Sequence, residues 1–138
     1  MKFPTTQTLL LALCLSLAEP IEAADKGPSA SCSRWKGGIP ITKWFDIPLY
    51  RRYSIVVKDL KEGEDVPWVC DRLWKELKQF KGSCTVSKPK CEANGPTEML
   101  WIFNVDLGCN KGKVHSAWYD ATKNTLGAID CASIKKPT

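Results

Sequence analysis

The 138-residue chain has a single histidine, His115, and only two methionines. Each scarcity excludes a class of function. One histidine cannot build a two-histidine ribonuclease site. No glycine-rich loop is present to cradle phosphates, so a P-loop nucleotide site is excluded. Past the first two dozen residues no stretch approaches the roughly 20 apolar residues of a membrane helix, so stable membrane insertion is not expected. The charge is mildly basic, 20 Lys and Arg against 15 Asp and Glu, but no dense basic stripe appears. That speaks against a nucleic-acid partner. The closest cysteine pair after the leader, Cys84 and Cys91, is too wide for a short zinc arm. No metal and no cofactor are expected.

What is present begins with a leader. Lys2 gives a weak positive start, and residues 9–15 are apolar but too short to span a bilayer. Residues 1–23 therefore read as a secretory signal peptide, cut after Ala18 or Ala23. Losing Lys2 with Glu19 and Glu22 raises the net charge from +5 to about +6. Cleavage also removes Cys14 and leaves six cysteines: Cys32, Cys70, Cys84, Cys91, Cys109 and Cys131. An even count in an oxidising compartment predicts disulfides. Residues 24–138 have room for a single secreted domain of about 110 residues.

Within that domain, residues 24–50 read as an irregular N-terminal segment, loose to Ser31 and then broken by Gly37-Gly38, Pro40 and Pro48. Tyr53–Lys58 is a β-branched strand. Asp65 caps a helix with Pro67 in its first turn. Val66, Val69, Cys70, Leu73, Trp74, Leu77 and Phe80 form its apolar stripe, and Gly82 ends it. Cys84–Ser87 reads as a short strand closed by Pro89. Met99–Leu107 alternates with period two and is the strongest strand. Residues 111–124 admit a helix, capped by Asn110 and ended by Asn124, or a hairpin with Leu126–Cys131. The alanines on the apolar stripe favour the helix. Gly127–Cys131 closes as a strand, and a polar tail follows.

The order strand, helix, strand, strand, helix, strand predicts an α+β two-layer sandwich, a ferredoxin-like βαββαβ fold with two helices on a four-stranded antiparallel sheet. Cys84–Ser87 is then an edge strand. Laying the cysteines on this order and asking which lie within disulfide reach favours Cys70–Cys91, Cys84–Cys109 and Cys32–Cys131, one of 15 pairings.

The remaining residues offer little chemistry. A Glu–His–Arg ribonuclease site would need His115 with Arg51 or Arg72 and an acid such as Glu98, and nothing in the spacing supports it. Glu62, Glu64 and Asp65 cluster before a helix, where acids ordinarily serve its N-terminus. Trp74, Trp101 and Trp118 fit the core. Trp35, Trp44 and Trp68 do not, and are free to bind a sugar or a protein, or to pack the N-terminal segment over the sheet. Arg51 and Arg52, beside Tyr50 and Tyr53, form a small basic–aromatic cluster. Trp35, Trp44, Arg51 and Arg52 are the expected partner-binding residues.

Two stretches carry a resemblance: Val69–Phe80 continuing through Cys84–Cys91, and Leu100–Phe103 continuing through Gly108–Val114, Ala117–Asn124 and Cys131. Their cysteines, tryptophans and glycines resemble the small cysteine-rich secreted effectors of plant-pathogenic fungi, of the secreted-in-xylem and avirulence-helper type. The resemblance covers roughly the second half of the chain and holds no catalytic signature. It implies secretion, a role in virulence, and a non-enzymatic action on a second secreted effector or a host plant protein. Pairing with an effector would make the chain half of a heterodimer. Some effectors of similar architecture resemble killer toxins with an α/β-sandwich fold, which implies a membrane-active alternative. A small secreted ribonuclease or hydrolase is the third reading.

Overall fold

A computed structural model describes residues 27–137 of the protein. The expected signal peptide lies outside the described residues. In chain order the elements are β1 (Ser29–Thr42), β2 (Phe45–Lys58), α1 (Val66–Leu77), β3 (Ser87–Ala93), β4 (Met99–Val105), α2 (Lys111–Thr122) and β5 (Cys131–Ser133). The strands form one five-stranded sheet in the order β3-β4-β2-β1-β5. Three pairings are antiparallel and β1–β5 is parallel.

The α+β class and the two helices are as expected. The four-stranded antiparallel, ferredoxin-like sheet is not. The stretch read as irregular is a pair of 14-residue strands, and the first of them lies between β2 and β5. That wedge separates two strands expected to be neighbours and turns an antiparallel sheet into a mixed one. The expected strand Cys84–Ser87 is also displaced. Pairing starts at Ser87 and runs to Ala93, so the edge strand is β3. Pro89 does not close it, because it sits at a register shift between Ser87 and Lys90, where an edge strand tolerates a missing N–H. The closing strand pairs at Cys131–Ser133 rather than Gly127–Cys131.

Both helices start where their caps predict. The Asp65 carboxylate accepts from the Trp68 amide at 3.1 Å. The Asn110 side chain accepts from the Lys113 amide at 3.0 Å. Residues 111–122 are helical, not a hairpin. The helix ends on Lys123 and Asn124, both left-handed with φ of 53° and 59°.

The core lies between the helices and one face of the sheet. Tyr53, Ile55 and Val57 of β2 and Met99, Trp101, Phe103 and Val105 of β4 point into it. Leu73 and Leu77 of α1 and Val114, Ala117 and Trp118 of α2 meet them. Each large side chain so buried contributes about 1.5–3 kcal/mol. Trp101 is the hub, within 4.7 Å of Phe103, 5.7 Å of Trp74 and 6.2 Å of Trp118, centroid to centroid. The Trp118 indole N–H donates to the Gly127 carbonyl at 2.8 Å.

The bridges are Cys32–Cys131, Cys70–Cys91 and Cys84–Cys109, the three pairs favoured above. Cys32 and Cys131 meet for a different reason than expected. They stand opposite each other in adjacent parallel strands. Cys70–Cys91 ties α1 to the edge strand β3. Cys84–Cys109 ties the two connecting segments at one end of the sheet.

Loop length ranks the three bridges. Cys32–Cys131 spans 99 residues, and the others 25 and 21. Chain entropy assigns about 4.7 kcal/mol to a loop near 100 residues and about 3–3.5 kcal/mol to the shorter ones. Replacing Cys32 and Cys131 together by serine is expected to cost the most in denaturant unfolding. Equal losses from all three pair replacements would contradict this ranking.

Candidate functional site

The first two strands outrun the sheet. β2 pairs with β4 only from Arg51 to Val57. β1 pairs with β5 only from Cys32 to Arg34. Residues 37–50 therefore pair with each other alone and form a two-stranded arm. Six residues per strand reach about 20 Å at 3.3 Å each.

The arm is apolar and bare. Ile39, Ile41, Trp44, Phe45, Ile47 and Leu49 are each at least 43 % exposed, and Trp44 at the turn is 92 % exposed. Ile39 stands directly opposite Ile47. Toward the turn the register shifts between Pro40 and Thr42, so that Phe45 pairs with Thr42. None of these residues belongs to the hydrophobic core. Exposed apolar side chains gathered on one ribbon are the composition that interaction sites display.

The glycines read as breakers are what let the arm close. A Cβ at Gly38 would collide with the backbone carbonyl of Ile47, and one at Gly37 with the Tyr50 ring. Both glycines are inside β1, at the base of the arm. Their requirement is close approach between strands, not a turn.

The expected site residues divide among three places. Trp44 is alone at the tip. Trp35 and Arg52 are cross-strand partners on the sheet face that carries no helix. There the Arg52 Nη1 donates to the Asn104 Oδ1 at 2.7 Å. Arg51 faces the other way, as its neighbour Tyr53 does, because side chains alternate along a strand. Arg51 and Arg52 are thus no single cluster. Arg34 and Arg51 flank Tyr53, and the Nε of each is buried without a hydrogen-bond partner. Burial pushes the Tyr53 hydroxyl above its ordinary value, with Arg34 and Arg51 opposing. The hydroxyl donates to the Cys109 carbonyl at 3.0 Å. Reasoning from the sequence missed Ile39, Ile41, Phe45, Ile47 and Leu49. Their alternation in 39–41 and 45–49 was the available signal, masked by the prolines between them.

Three of the residues weighed for catalysis, His115, Arg72 and Asp65, are engaged in the scaffold. The His115 Nε2 accepts from the Cys131 amide at 3.0 Å. Arg72 donates from Nε to the Ala121 carbonyl at 3.2 Å and lies 5.0 Å from the Trp68 ring centroid. Asp65 is the helix cap. Among the described residues, no group of three or more His, Cys, Asp or Glu side chains is placed to hold a metal. Also among them, no helix is long and apolar enough to cross a membrane.

Comparison of the chain with protein-family models, curated proteins and solved structures finds no match.

His115 generates a pH prediction. Its Nε2 must be unprotonated to accept from Cys131, and burial lowers its pKa below the ordinary histidine value near 6.5. As pH falls, the unfolded chain takes up this proton first. Stability is whole above pH 6.5 and declines as pH drops from there through the folded-state value. The melting temperature is expected to fall between pH 7 and pH 5, and His115→Gln is expected to flatten that decline. An unchanged slope in the variant would remove His115 as its cause.

Proposed function

We propose that this protein is a secreted virulence effector that acts without catalysis, by seating its apolar arm in a partner protein. The partner is a second co-secreted effector or a host plant protein. The observation that carries the reading is the arm: six large apolar side chains displayed on a two-stranded ribbon that contributes nothing to the core. An exposed tryptophan flanked by aliphatic residues has the composition of an interface hot spot. Three disulfides in a small domain are consistent with an extracellular location.

Charge defines the partner further. Lys36, Arg51 and Arg52 stand at the base of the arm, and the whole chain is positive by five charges. A second copy would bring like charge to like charge. A partner with an apolar groove bordered by carboxylates complements both parts, which favours a heterodimer over a homodimer.

One observation favours the killer-toxin-like alternative as well. The turn reads Lys43-Trp44-Phe45, and a cation beside two aromatic rings suits a membrane interface. The ribonuclease alternative gains no such support, since His115 Nε2 is occupied by the Cys131 amide.

The decisive variant is Trp44→Ser with Phe45→Ser. Both side chains are exposed, so the melting temperature should barely move. Two lost hot spots should weaken a purified 1:1 complex with the cognate co-secreted protein by roughly 100-fold or more, read by calorimetry. Unchanged affinity in the variant would refute the arm as the contact. Dye release from anionic vesicles by the wild type, abolished in the variant, would instead establish the membrane reading.

A further inference from the structure

A second surface lies on the helix-free face of the sheet, at the base of the arm. Trp35, Tyr50, Arg52, Lys88, Asn104 and Lys136 line a cleft of about 330 Å³, at the lower end of the range for ligand sites. Three cations enter it and, among the described residues, no carboxylate lines it. Among the described residues the ion pairs are Lys90–Glu92 and Lys111–Asp130. Arg52, Lys88 and Lys136 take part in neither.

Two features bear on how Arg52 and Lys88 are presented to the cleft. Asn104, on β4, is only 5 % exposed, and its side-chain oxygen anchors the Arg52 guanidinium at 2.7 Å. The remaining donors of that planar fork stay available. Lys88 has φ of +47°, a left-handed conformation that costs a non-glycine residue about 1 kcal/mol or more. It sits at the register shift of β3, where Lys88 and Pro89 together face Phe103. A bulge of this kind re-aims a side chain, and Lys88 lines the cleft.

We infer that this cleft binds an acidic oligosaccharide, a chain of sugar rings bearing carboxylates. The indole of Trp35 and the phenol of Tyr50 offer flat faces for the apolar side of a pyranose ring. The three cations come from β2, β3 and the C-terminal tail. In the strand order β3-β4-β2-β1-β5 the strand β4 separates Lys88 from Arg52, and β1 separates Arg52 from the strand that leads to Lys136, whereas phosphate cradles converge backbone amides from one loop on one point. Spaced cations match spaced carboxylates. The site shares Tyr50 and Arg52 with the base of the arm but none of the arm's exposed apolar side chains, and its test does not need the proposed partner.

The test is calorimetric titration of the disulfide-bonded protein with a uronic-acid tetramer, beside the matching neutral hexose tetramer. Saturable 1:1 binding of the acidic tetramer alone is expected, weakening with added salt. Arg52→Ala is expected to lower affinity about tenfold, the effect of one charged hydrogen bond. Lys88→Gly is the discriminating variant. Glycine relieves the left-handed backbone, so the melting temperature should hold or rise while affinity falls about tenfold. Four results would each overturn the inference: no binding, equal binding of the neutral tetramer, tighter binding of adenosine monophosphate or an acidic peptide, or unchanged affinity in Lys88→Gly.

Discussion

The double engagement of Cys32–Arg34, with β2 on one side and β5 on the other, is the constraint on which the rest depends. It places Cys32 opposite Cys131 and so closes the longest loop of the chain. It gives a three-residue strand, β5, an attachment it could not secure by hydrogen bonds alone. It also fixes the starting register of β1. Because β1 and β2 are equally long and keep one register from Ser29↔Lys58 to Gly37↔Tyr50, then stay paired to Thr42↔Phe45 through two register shifts, whatever extends beyond the sheet extends as a paired ribbon. The arm is the continuation of a strand whose root is locked on both edges and by a covalent bond.

The same alternation that builds the core divides the surface. Tyr53, Ile55 and Val57 face the helices, so Arg52, Ser54 and Val56 face away. On β4, Trp101, Phe103 and Val105 face in, so Leu100, Ile102 and Asn104 face out. The outward face has no helix, and the Trp35–Arg52–Asn104 row crosses it at the base of the arm. Tyr50 joins the two surfaces: its ring covers Gly37 in the arm's neck and forms a wall of the cleft. The exposed apolar ribbon and the cationic cleft are thus neighbours that share Tyr50.

The legible parts of the fold were those where large apolar residues mark the period. The stripe from Val66 to Leu77 and the alternation from Met99 to Val105 were readable because one face is buried. The caps Asp65 and Asn110 were readable because few residues supply such acceptors. β1 was not readable, for a physical reason. Its inward positions are Ala30, Cys32 and Arg34, and its outward ones Ser29, Ser31 and Ser33. The period of two is present, but no large side chain displays it. Gly37-Gly38, Pro40 and Pro48 then argued for a break, whereas the glycines serve close strand approach and the prolines sit in a ribbon with no outer neighbours. Of the expected contact residues, Trp35 and Arg52 come together and Trp44 is the exposed tip. Arg51 does not cluster with Arg52, because adjacent residues of a strand point to opposite faces.

The prolines also bear on how the arm makes contact. A bare apolar ribbon invites edge-to-edge pairing with any extended chain. Gly38↔Pro48 and Pro40↔Asp46 belong to one class of cross-strand pair, since they are two positions apart. For the ladder to lose no bond, that class must be the one whose N–H groups face outward. Each strand of the arm then lacks an outward donor, Pro40 on β1 and Pro48 on β2. Lys43 and Asp46 add charge beside the turn. These features oppose strand addition along the arm while leaving Ile39, Ile41, Trp44, Phe45 and Ile47 uncovered. On the proposed reading, recognition by the arm therefore runs through side chains inserted into a groove rather than through backbone pairing.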